Sequence, residues 1–96
     1  MTKPEIFTFC LYVADDTFNS GQAIANLRSL CNTYLPGRHE IELVDVFKDP
    51  DRALEERIFL TPTLVKQGPG TTERIVGTLA QTNVVLRALG LGALIT

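Results

Sequence analysis

Residues 58–65 read Ile58-Phe59-Leu60-Thr61-Pro62-Thr63-Leu64-Val65, an apolar run broken by Thr-Pro-Thr. Proline fixes φ and has no N–H to give a ladder, so the chain turns here before continuing as a strand. On the C-terminal side, "TPTLVK" (61–66) reads as a strand, "QGPG" (67–70) as a turn and "TTERIVG" (71–77) as a second strand, which makes a hairpin. On the N-terminal side, Asp49-Pro50 marks a helix start, with Asp as the cap and Pro at the first position; "DRALEERI" supplies about two turns. Further upstream, "IFTFCLYVA" (6–14) puts Phe7, Phe9, Leu11 and Val13 on one face and Ile6, Thr8, Cys10 and Tyr12 on the other. Both faces are largely apolar, the pattern of a central strand covered on two sides.

The remaining elements fall into place around this strand. Asn19 followed by Gln22 resembles a capping box, and Ile24, Leu27, Leu30, Cys31 and Tyr34 continue at helical spacing until Pro36-Gly37. "IELVDVF" (41–47) is a strand and "TNVVLRALG" (82–90) a last helix, followed by an uncharged tail, "LGALIT". The order is β-α-β-α-β-β-α. Its first βαβ unit implies parallel strands joined by a right-handed crossover. This is an α/β, thioredoxin-like single domain over residues 1–96. The Thr61-Pro62-Thr63 turn resembles the one such folds place beside their active site, where the proline is cis; the same is expected of Pro62. Thioredoxin-like enzymes carry a Cys-x-x-Cys pair after the first strand. Residues 14–20 here, "ADDTFNS", contain no cysteine.

Composition narrows the function further. The chain has 96 residues, 45% hydrophobic and 21% charged, an ordinary globular balance for one domain. A net charge of −2 gives no footprint for nucleic acid. The N-terminal residues do not form a signal peptide, and no stretch is apolar enough to span a membrane, so a cytoplasmic location is expected. Cys10 and Cys31, 21 positions apart, fit neither a zinc site nor a redox motif and are expected to be buried thiols. Cys31 falls near the far end of its helix, where the dipole disfavours a thiolate. His39 is expected to be solvated, as are the Asp15-Asp16 pair and the mixed-charge run 48–57. "QGPG" is too short for a phosphate loop. Neither catalysis nor a cofactor or metal is expected. The competing reading is a thiol-dependent or glutathione-binding enzyme that kept the fold, and a third is a self-assembling structural protein.

Three motifs stand in order along the chain. "LYVADDTFNS" (11–20) resembles LYVAG-x-T-x-NS, "VDVFKDPDRALEERIFLTPTLVK" (44–66) resembles a DVLKNPxLAEE…ILATPTLxK centre, and "ERIVGTL" (73–79) resembles RRIIGDL. Together they resemble the KaiB family of circadian clock proteins. The resemblance implies a thioredoxin-related module without redox chemistry. It would bind KaiC, a RecA-type ATPase hexamer, in a complex that then sequesters KaiA; a related domain opens a clock-output signalling kinase. It also implies a second packing, a resting tetramer with the order β-α-β-β-α-α-β, and hence self-association as dimer or tetramer. Two packings of one sequence coexist when they differ by a few kcal/mol. Carried over position by position, Arg57 and Arg74 match basic residues of the family motifs and are the candidate partner contacts. The chain departs from the pattern at "QGPG", Gln22, Thr78 and "LRALGLG", and it lacks an acidic tail. With the resemblance, these departures imply a divergent homologue, outside the oscillator and without a KaiA partner; a role in timekeeping or in stress adaptation is expected.

Overall fold

The computed structural model describes residues 5–15 and 17–91. The elements are β1 (Phe7–Val13), α1 (Phe18–Tyr34), β2 (His39–Asp45), α2 (Pro50–Glu55), β3 (Thr63–Gly68), β4 (Glu73–Val76) and α3 (Thr82–Ala88). They form one sheet in the order β2-β1-β3-β4, with β1 parallel to β2 and antiparallel to β3, and β3 antiparallel to β4. The expected order β-α-β-α-β-β-α is the one observed, and residues 73–76 are strand. The alternative order, β-α-β-β-α-α-β, is not the packing seen. Residues 92–96 of the uncharged tail lie outside the described residues, as does Asp16.

The two apolar faces of β1 divide the interior. Phe7, Phe9, Leu11 and Val13 pack with Leu27, Leu30, Cys31 and Leu35 around α1 and with Val85, Leu86 and Leu89 around α3. Cys10 and Tyr12 point the other way, into a smaller cluster with Val44, Val65, Ala53 of α2 and Ile58. The result is three layers, with α1 and α3 on one side of the sheet and α2 on the other. Lys66, also buried, holds its ammonium 5.9 Å from the centroid of the Phe7 ring.

Boundaries moved where local hydrogen bonds decided them. Helix α1 starts earlier than the Asn19–Gln22 pair suggests: Thr17 is the N-cap, its Oγ1 accepting from the Ser20 N–H at 3.3 Å. The buried Ser20 hydroxyl in turn accepts from the Ala14 N–H at 3.1 Å, locking the end of β1 to the helix start. Strand β2 ends at Asp45 because that residue folds the chain back; its side chain accepts from Phe47 N–H at 2.8 Å and its carbonyl from Asp49 N–H at 2.9 Å. Asp49 occupies the N-cap of α2 without a side-chain capping bond. Strand β3 begins after Pro62 and runs on through Gln67 and Gly68, shortening the expected turn. His39 is the first residue of β2 rather than a solvated loop side chain; it is half-buried with Nδ1 2.7 Å from the Leu35 carbonyl oxygen.

Truncating the central strand should cost the most. Leu11→Ala, at a fully buried position, is expected to destabilise the domain by about 2–5 kcal/mol, read from the midpoint of urea unfolding.

Candidate docking site

Strand register brings several chain segments to one end of the sheet. Val13 at the end of β1 lies opposite Asp45 at the end of β2, Tyr12 opposite Thr63 at the start of β3, and Thr63 opposite Val76 at the end of β4. The start of α1 is fastened to the same end by the Ala14–Ser20 bond. Residues 56–62 descend from α2 to this end. The Thr61–Pro62 bond is cis, the Pro62 carbonyl accepts from Gly77 N–H at 2.9 Å, and Thr63 Oγ1 donates to the Leu60 carbonyl at 2.6 Å.

The descent begins with a helix stop. Ile58 N–H donates to the Ala53 carbonyl at 2.8 Å and Arg57 N–H to the Leu54 carbonyl at 3.0 Å. These are the two bonds of a Schellman motif, completed by the shared burial of Ala53 and Ile58. Its left-handed position is usually glycine; here it is Arg57, at φ +56°. A side chain in that conformation costs roughly 1–2 kcal/mol.

Beyond the stop lies an open groove of about 220 Å³. Arg57 and Arg74, matched separately in the sequence, both line it, with Ile58, Phe59, Leu60 and Val76 between them. Phe59 is 78% exposed, Leu60 63% and Val76 58%. Arg74 is engaged with Glu56 at 3.4 Å, a half-exposed pair, whereas Arg57 forms no ion pair among the described residues. Sequence reasoning missed the apolar part of this surface. The signal available was Ile58-Phe59-Leu60 itself: three consecutive apolar residues ahead of a turn cannot all face one core. Here Ile58 goes in and the next two stay out.

The thiols stand elsewhere. Cys10 and Cys31 are both fully buried, one in mid-β1 and the other in the last turns of α1. Burial pushes the Cys31 thiol up to about 12. Burial also raises Cys10, against the lowering influence of its hydrogen bond with Tyr12 and of the Arg52 guanidinium, whose Nη2 is 3.7 Å from Sγ. Arg52 is held by Glu42, with contacts of 2.5 and 2.6 Å, and those bonds keep the Glu42 carboxyl below its usual range. Neither thiol stands at the start of α1, where a nucleophilic cysteine would gain from the helix dipole. Asp15, also there, is in a left-handed turn at φ +44°. Among the described residues no group of three or more potential metal ligands comes together, and no helix is long and apolar enough to cross a membrane.

The KaiB domain profile matches residues 10–91. This chain belongs to the KaiB family. The circadian clock protein KaiB3 of Synechocystis sp. is 42% identical over 79 residues, covering 82% of this chain and 78% of that one. In structure, this KaiB-family chain is similar to the N-terminal domain of Synechococcus elongatus SasA, with a TM-score of 0.76 at 18% identity over 100% of this chain and 90% of that one. It is also similar to chloroplastic thioredoxin z, with a TM-score of 0.74 at 20% identity over 93% and 80% of the two chains. These likenesses establish the thioredoxin-like fold of this KaiB-family member, while its family relatives are named as clock proteins and not as enzymes.

Thiol titration checks the chemistry. Both cysteines are expected to resist Ellman's reagent in the native protein and to react fully in denaturant. Because the folded Cys31 holds its proton to about 12 against an ordinary 9.0, burial of the neutral thiol supports the fold below about pH 9. Above that the unfolded chain releases its proton first, so stability should fall with rising pH, and Cys31→Ala should flatten that alkaline slope.

Proposed function

We propose that this KaiB-family protein is a non-catalytic binding module that docks on a KaiC-type, RecA-like ATPase through the Arg57–Arg74 groove. The observation that carries this reading is the convergence of two cations on an exposed apolar surface at the end of the sheet. Thioredoxin-like enzymes use that region for thiol chemistry. In this chain it offers Phe59, Leu60 and Val76 instead, and exposed aromatic and aliphatic groups beside arginine are the composition of protein-binding hot spots. The inert placement of both thiols argues against the thiol-dependent alternative. Family membership supports the ATPase as partner. A KaiA-like protein or a signalling kinase would then engage the complex, with the protein acting in the cytoplasm in timekeeping or stress adaptation.

The test is complex formation with the purified KaiC-type ATPase of the same host, in ADP and in ATP, followed by size exclusion and backbone NMR. A complex is expected under at least one nucleotide. Phe59→Ala and Arg74→Ala should each weaken it by about tenfold or more, while Arg28→Ala, on the exposed side of α1, should leave it unchanged. No complex under either nucleotide would remove the proposal.

A further inference from the structure

The two sides of the sheet differ in charge. On the α2 side and along the adjoining β2 edge, exposed charges are dense: Glu40, Glu42, Asp49, Asp51, Glu55 and Glu56. On the other side α1 runs for 17 residues, and Arg28 is its only charged one. A surface helix ordinarily carries charged and polar residues on the face turned from the core. The outward face of α1 instead presents Phe18, Gly21, Gln22 and Ala25, which helical spacing sets in one stripe. Phe18 is 78% exposed. Beside it is an open depression of about 480 Å³, lined by Gly21, Gln22, Ala25 and Asn26 as well as Phe18 and Thr17.

Gly21 has no reason within the chain. It is helical, and a Cβ there would meet nothing within 4 Å. Glycine in a helix costs stability that alanine would not. What it permits is close approach by another backbone from outside. We infer that this face packs against the same face of a second copy, α1 crossing α1 about a two-fold axis. A charged surface laid on an uncharged one loses water and gains no counter-ion, so the occupant is itself uncharged there, and a second copy matches this by construction. The face also fits itself. With the helices antiparallel and Phe18 opposite Ala25, each ring enters the other copy's depression, and Gly21 meets Gln22 at the axis, where the helices come nearest. The same register sets Arg28 near Asp15 of the second copy, so the one charge on the helix finds an opposite partner at the rim. The contact leaves the Arg57–Arg74 groove open, because Arg74 shares the sheet face of Val65, which packs under α2. A helix of this length spans about 25 Å. One such pair covers less than the roughly 1,600 Å² of a standard stable interface, so the dimer forms and parts with concentration.

The experiment is sedimentation velocity from roughly 10 µM to 1 mM, with backbone NMR over the same dilution. The parent should pass from one chain to two, with shifts moving in residues 17–26 and not in β4 or α3. Gly21→Ala should melt higher than the parent, which shows an intact fold, and yet dimerise about tenfold more weakly. Arg28→Glu and Asp15→Lys should each weaken the dimer by about tenfold, and the double variant should regain it. Thermal melts of all variants confirm that each is folded. A parent that remains one chain at about 1 mM would overturn the inference, as would Gly21→Ala associating as the parent does. Association whose shifts fall on another element would overturn the α1 face, and single charge variants that the double variant does not rescue would overturn the register.

Discussion

The structure depends on the two-sided burial of β1. All seven of its residues pair with β2 along one edge and Thr8 to Tyr12 pair with β3 along the other, and its side chains feed both hydrophobic clusters. A strand in that position has no solvent-facing register to slip into, because a one-residue shift would exchange its two faces. That removes one source of ambiguity and fixes where the other strands begin. The convergence of Val13, Asp45, Thr63 and Val76 at one end follows from that register.

The same strand explains why so much of the fold was legible. Alternation in residues 6–14, helical spacing from Ile24 to Tyr34 and the hairpin after Pro62 each reflect burial against β1, and burial writes a period into sequence. Element ends are written differently. Thr17 rather than Asn19 caps α1 because the buried Ser20 hydroxyl, bonded to Ala14, fixes where the helix can start. Asp45 ends β2 by bonding Phe47 N–H. Those are individual bonds with no periodic trace. The site divides along the same line: Arg57 and Arg74 came from a family resemblance, and only the folded chain sets them around one groove. The apolar lining was visible as Ile58-Phe59-Leu60, but not which of the three would be turned outward.

This thioredoxin-like scaffold carries its two cysteines in mid-β1 and in the last turns of α1, and none at the start of α1. Both sulfurs lie deep in the layers on either side of the sheet. What persists is the construction around the cis proline, with Pro62 and Thr63 bonded to Gly77 and Leu60. In this chain the exposed side chains of Phe59 and Leu60 stand just ahead of that construction. The scaffold supplies a rigid end to a sheet, and the residues placed there decide its use.

The layer formed by α2 is thin. Only Ala53 of that helix is buried, and beyond the small cluster it is held by two exposed ion pairs, Arg52 to β2 and Glu56 to β4. Exposed pairs of this kind contribute little. Such a layer belongs to the low end of the range of local opening free energies, whereas β1 can exchange its amide hydrogens only when the whole domain opens. The groove straddles that boundary: Thr63 and Val76 stand on the sheet, while Arg57 to Leu60 hang from the end of α2. One wall therefore stands on the hydrogen-bonded sheet and the other on a layer that opens more readily than the strands beneath.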